Sequence, residues 1–239
     1  MFDVYLKNAF CEPGCPICRI RRQAVDRYIF RTLWENVNDI TFRRRFLAAE
    51  GLCPDHAWQL QNTEFRHWQD GFKTGILYES LLVAVRRQLA HESDTDRRQS
   101  LPWWHLSRWW PSPASHKSLA AALLGTDACP VCQIGAFNES FYARELVGKL
   151  VEPAWQTAYA HSDGLCLPHL RLTLNKCDPE SRRRLLAETD ARLQTLQDDL
   201  SEYKRKHAWK YRHESVSEAE RQSWIRAVAW LRGEKPGEA

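Results

Sequence analysis

The chain has 239 residues, 44% of them hydrophobic and 27% charged, with a formal net charge of +4. That is enough to bury a real core, as one domain or two small ones, and the charge is too weak and too mixed to suggest a nucleic-acid footprint. Apolar runs such as Ser118–Gly125 fall far short of the roughly 20 residues that span a bilayer, and Met1–Ala9 has no basic then apolar leader pattern. A cytoplasmic setting is therefore expected, where Cys-x-x-Cys pairs serve as metal ligands or redox groups more readily than as structural disulfides.

Cys15-Pro16-Ile17-Cys18 comes first in chain order. Residues 19–37 are rich in helix formers and carry Tyr28 and Trp34; Asn38-Asp39 reads as a stop and a new N-cap. Gly51 stands where a helix end needs a left-handed residue, just before Cys53-Pro54-Asp55-His56. A long helix is expected from about Arg66 to Ala90, with Gly75, Tyr78, Leu82, Val85 and Leu89 on one stripe. A polar stretch from His91 then leads into a proline-flanked segment holding Trp103, Trp104, Trp109 and Trp110. It either plugs a groove or offers an aromatic patch to a partner protein.

Cys129-Pro130-Val131-Cys132 follows, then Pro153 as a helix starter, Gly164, and Cys166-Leu167-Pro168-His169. Asp178-Pro179 reads as an N-cap with proline in the first turn, opening a helix whose stripe is Leu186, Leu193, Leu196, Leu200 and Tyr203. Ser217 and Glu220 form a capping box for a last helix, expected to dock on the preceding one through Trp224, Ala227, Val228 and Leu231. No alternating run of strand length stands out. The fold class is all-α: two tandem helical repeats, residues 1–92 and 125–239, joined by a Trp/Pro-rich linker at 93–124 and ending in a helical extension.

The doubled spacing carries the chemistry. Cys15 and Cys129 are 114 residues apart and His56 and His169 are 113 apart, so each copy offers three thiols and one imidazole. Three sulfurs and a nitrogen make a tetrahedral zinc ligand set with no open position, the mark of structural zinc. The expectation is two Zn2+ per chain, one held by Cys15, Cys18, Cys53 and His56, the other by Cys129, Cys132, Cys166 and His169. Arg19, Arg22 or Lys176 would offset the excess negative charge. An iron–sulfur cluster and a thiol redox pair remain open as alternatives, although the second lacks its strand–helix context. Cys11 and Cys177 have no twin and fall outside the duplication. There is no Gly-rich phosphate loop, no G-x-S-x-G and no His-Glu-x-x-His, so an enzyme would need a pocket from residues such as Trp209, Tyr211, Arg212 and Trp224.

CPxC followed about 34 residues later by G-[Leu/Phe]-C-x-x-H, twice over, resembles an uncharacterised bacterial family carrying that doubled motif. The closing segment Lys206–Arg212 with Ser223–Ala227 is similar to the end of that family, whereas the Trp-rich joining segment is a departure from it. The resemblance implies boundaries and ligands and brings no activity. The function expected is a non-enzymatic zinc-binding scaffold or adaptor. The alternative is an iron–sulfur or thiol redox protein in electron transfer or cofactor maturation.

Overall fold

The structure, a computed structural model, describes the backbone of residues 2–99 and 127–234 and the side chains of 3–90 and 127–234. The joining segment with Trp103, Trp104, Trp109 and Trp110 lies outside the described residues. Ten α-helices and no strand occur among those described. They are α1 (Phe2–Phe10), α2 (Pro16–Arg31), α3 (Ile40–Ala48), α4 (Pro54–Trp68), α5 (Phe72–Gln99), α6 (Pro130–Lys149), α7 (Pro153–Ala160), α8 (Leu167–Leu174), α9 (Pro179–Lys206) and α10 (Glu218–Arg232). A π-helical turn at Thr32–Asn36 extends α2, and a 3-10 turn at Trp209–Tyr211 follows α9.

Local chemistry explains most of the ends. The Asp39 carboxylate accepts from Phe42 N–H at 2.6 Å and starts α3. Asp178 does the same for α9 through Glu180 and Ser181 at 2.9 and 3.0 Å, and Ser217 with Glu220 closes a reciprocal capping box on α10. Gly51 and Gly164, at φ +95° and +75°, take backbone conformations that a side chain would strain. A Cβ at Gly51 would also stand 3.0 Å from Leu81 Cδ2.

The chain divides into two compact units that do not follow the sequence halves. One combines residues 1–25 with 135–239; the other is 26–134. Unit boundaries therefore fall inside α2 and α6. The first unit is built around Leu6, Phe10, Ile20, Leu146, Trp155 and Tyr159, with Phe10 edge-on to both Trp155 and Tyr159. In the second, Phe46 is tilted against Phe42 and edge-on to Tyr78, and Ile29, Leu33, Leu60 and Leu77 are buried.

Three expected helical features are corrected. The single helix from Arg66 to Ala90 is broken: Gln69 turns left-handed at φ 54° and α5 begins at Phe72. Glu64 stabilises the break. Its wholly buried carboxylate accepts from the Lys73 and Thr74 N–H groups at 2.7 Å each, taking up two orphan donors at the start of α5. Glu64→Ala should destabilise the protein by about 1–3 kcal/mol in chemical denaturation, because two half-buried donors lose their charged acceptor.

The stripe on α5 is also turned by about one residue, whereas on α9 Leu193, Leu196, Leu200 and Tyr203 are half-buried as expected and only Leu186 falls outside. Leu77 and Leu185 are buried, whereas Leu82 and Leu186 are exposed. On α10 the expected docking on the preceding helix is present, but of the expected stripe only Ala227 is half-buried. The helix packs on α8 and α9 through buried Glu220 and Ser223, and Trp224, Val228 and Leu231 face solvent. Lys206 to Glu220 at 2.6 Å and Arg226 to Asp199 at 3.0 Å make this a polar seam, which the apolar periodicity of the helix could not announce.

Candidate metal centres

Each ligand pair opens a helix. Cys15, Cys53, Cys129 and Cys166 sit immediately before or at the N-caps of α2, α4, α6 and α8, with proline in the first or second helical position. The second ligand of each pair, three residues on, completes the first turn. Thiolates are thus placed against free backbone N–H groups and the positive end of the helix dipole, which favours the charged form.

The eight candidate ligands gather into two groups, and in each the donor atoms lie within 4.8 Å of one another. The grouping is crossed with respect to the sequence. Cys15 and Cys18 of the first copy meet Cys166 and His169 of the second; Cys53 and His56 meet Cys129 and Cys132. Cys18 is not grouped with His56, nor Cys132 with His169, and the expectation that each repeat closes its own site is overturned. The cause is helix length. After Cys15 the chain runs along the 16 residues of α2, about 24 Å of helix, and after Cys129 along the 20 residues of α6, about 30 Å. Both helices lead out of one compact unit and into the other, so the arm that follows is delivered to the other group. Each centre lies wholly inside one unit.

In the first unit, His169 Nδ1 faces three sulfurs, at 3.4 Å from Cys15, 3.3 Å from Cys18 and 3.1 Å from Cys166, and Cys18 and Cys166 are 3.7 Å apart. In the second unit, His56 Nδ1 lies 3.1 Å from Cys53, 3.3 Å from Cys132 and 3.8 Å from Cys129, with Cys53 and Cys132 3.6 Å apart. A tetrahedral ion with bonds of about 2.3 Å to sulfur and about 2.0 Å to nitrogen sets its sulfurs about 3.7 Å apart and each about 3.5 Å from the nitrogen. Both donor sets fit that frame. A disulfide would need about 2.05 Å, and all eight cysteines are free thiols.

The electrostatics also ask for a cation. Burial pushes the Cys129 thiol up, but hydrogen bonds from His56 and from the Cys53, Cys132 and Val131 backbones outweigh it and bring it down to about 6. For Cys132, burial and the neighbouring Cys53 and Cys129 sulfurs act together and push it up to about 12. One thiolate is stabilised here and another is resisted. A divalent ion at the centre of the group would let both ionise.

His169 shows the same pressure: burial lowers its pKa, yet hydrogen bonds to Cys15, Cys166, Cys18 and Glu139 hold it well above the ordinary histidine range. Its outer nitrogen, Nε2, is 3.2 Å from Glu139 Oε1, and Arg21 Nε is 3.1 Å from the same oxygen. Burial raises the Glu139 carboxyl, but His169 and Arg21 hold it below the usual range. Arg21, rather than Arg19, Arg22 or Lys176, is the cation beside this centre, and Glu139 neutralises it. Arg19 instead bonds the Pro13 carbonyl and Arg22 pairs with Glu234 at 3.6 Å. Glu139 escaped sequence reading because it is 30 residues from His169.

Cys11 is exposed, with its thiol toward the Lys7 carbonyl at 3.4 Å, and Cys177 is half-buried against the Thr173 carbonyl; neither joins a group. Of the residues named for an enzymatic pocket, Trp209 is 83% exposed under the Arg212 guanidinium, and Trp224 points outward. The first unit does hold a cavity of about 320 Å³, walled by residues that include Ser162, Asp163, Arg192 and Trp230 and ending at Cys15 and Cys166.

A model for a family described as one of unknown function, DUF6062, matches residues 2–238. A protein of Caldicellulosiruptor sp. (strain Rt8B.4), described as an uncharacterized 23.9 kDa protein in the xynA 3' region, is 24% identical over 226 residues, covering 94% of this chain and 97% of that protein. No solved structure matches.

Proposed function

The chain belongs to the DUF6062 family, whose function is unknown, and we propose that it is a zinc-binding helical scaffold, non-enzymatic, holding two Zn2+ ions that knot its two halves together. The observation that carries this reading is the pair of closed Cys3His groups. Four protein donors at tetrahedral spacing fill the coordination sphere, which is the arrangement of a structural rather than a catalytic ion. Zinc is favoured over a cluster because the sulfurs stand 3.6 and 3.7 Å apart across a single ion's span, whereas an iron–sulfur cage would spread its thiolates more widely. A reducing cytoplasm would keep these thiols available. Crossing the ligands gives each ion a role in topology: it fastens a helix start from one half of the sequence to a helix start from the other.

The adaptor part of the proposal is supported by exposed aromatic surface. In the second unit Phe30, Trp34 and Trp68 stack with centroids 5.6 to 6.3 Å apart, and Trp34 remains 61% exposed; in the first, Trp224 and Val228 are exposed on α10. Apolar patches of this kind mark protein contacts. No helix among the described residues is long and apolar enough to cross a membrane.

Native mass spectrometry of freshly purified protein tests the reading, since it reports metal identity, stoichiometry and any bound partner together. Two zinc ions per chain are expected. Iron with absorbance near about 400 nm would support the cluster alternative instead, and a metal-free folded chain would overturn the proposal.

A further inference from the structure

The two centres have the same donors and different surroundings. In the Cys15–Cys18–Cys166–His169 centre, Cys15, Cys166 and His169 are 6%, 2% and 5% exposed, and Cys18 alone is partly exposed. In the Cys53–His56–Cys129–Cys132 centre all three cysteines are partly exposed. The shells differ as well. His169 hands its outer N–H to Glu139, which Arg21 holds from the other side. Among the described residues, no carboxylate pairs with His56.

The duplication shows how this difference is written. At the 114-residue offset relating Cys15 to Cys129, Arg21 corresponds to Gly135 and Glu139 to Val25. Neither half therefore carries both members of the ion pair; the pair is assembled where α2 crosses α6. The crossing is close: a Cβ on Gly135 would stand 3.1 Å from Arg21 Nε and 3.6 Å from Val25 Cγ2. The bare glycine lets the guanidinium lie across α6 and reach Glu139. A carboxylate on the far nitrogen of a ligating imidazole fixes the ring and its tautomer, and its loss typically lowers metal affinity 10- to 100-fold.

We propose that the centres are functionally inequivalent: the Cys53–His56–Cys129–Cys132 centre is an exchangeable site for a soft divalent ion, and the other is a permanent one locked by Glu139 and Arg21. This rests on the metal-binding reading above. Glu139 and Arg21 are positioning residues, acting through His169. The exchangeable centre combines sulfurs that an incoming chelator or acceptor thiol can reach with an imidazole that no carboxylate pins.

The test uses the full chain loaded with two equivalents of Zn2+, mixed under reducing conditions with excess 4-(2-pyridylazo)resorcinol, a coloured zinc chelator. Two release phases of one ion each are expected. Cys132→Ser should remove the fast phase and leave the slow one. Glu139→Gln should speed the slow phase 10- to 100-fold, leave the fast phase unchanged, and alter the d–d bands of one of two bound Co2+ ions when cobalt replaces zinc. Gly135→Ala, which displaces Arg21 and touches no ligand, should speed the same phase. Release of both ions in one phase, or a slow phase indifferent to Glu139→Gln, overturns the inference while the metal-binding reading stands. A chain that takes up fewer than two ions overturns both.

Discussion

Stripping the ions from the reduced protein with a strong chelator is expected to unfold most of it, seen as a loss of far-ultraviolet helical signal and of the cooperative thermal transition. Structural zinc contributes on the order of 10 kcal/mol or more of folding free energy per site at neutral pH, against a total stability of about 5–15 kcal/mol for an ordinary domain. Two such sites exceed what the remaining contacts supply. The ligands are also core residues: Cys15 and Cys166 belong to the same buried cluster as Phe10, Trp155 and Tyr159.

Acid should act in the same direction, because protons compete for the thiolates. Glu139 adds to it. Its carboxyl sits below the ordinary range, so its stabilisation is present above the unfolded glutamate value and is lost as pH falls through the folded one. A chelated protein with an unchanged melting curve would contradict the structural role of the ions.

Cys166→Ser has the next largest expected effect. The residue is 2% exposed, sits at the N-cap position of α8, and stands 3.1 Å from His169 and 3.7 Å from Cys18. Serine oxygen is a harder donor on a shorter bond, so one ion should be lost and the first unit destabilised by several kcal/mol, beyond the range of most single substitutions. Cys11→Ser is the matched control: an exposed thiol outside both groups, whose replacement should change the melting temperature by no more than about 1–2 °C. Equal behaviour of the two variants would mean that Cys166 is an ordinary core thiol.

All eight candidate ligands, the three caps at Asp39, Asp178 and Ser217, and the turns at Gly51 and Gly164 were legible in the sequence, because each depends on a few neighbouring residues. The pairing was not. Two copies of one spacing are consistent with closure inside a copy or between copies, and only the length of α2 and α6 decides. That clue was present in the 34 residues between Cys18 and Cys53, whose helical run is too long to bring the second arm straight back. Asp70-Gly71 likewise marked the break before α5, whereas the Glu64 carboxylate that holds it acts at a distance of nine residues. The outward turn of Trp224 and Val228 was invisible because the buried positions of the helix are polar, Glu220 and Ser223, and its aromatic packed on the core is Trp230, off the expected stripe.

The crossed ligation is tested most directly by counting ions in two double variants of the full chain. Cys18→Ser with Cys166→Ser strikes one centre twice and should leave one zinc per chain; Cys18→Ser with Cys53→Ser strikes both and should leave none. The opposite result, one ion in the second variant and none in the first, would mean that each sequence copy closes on itself and would contradict the account.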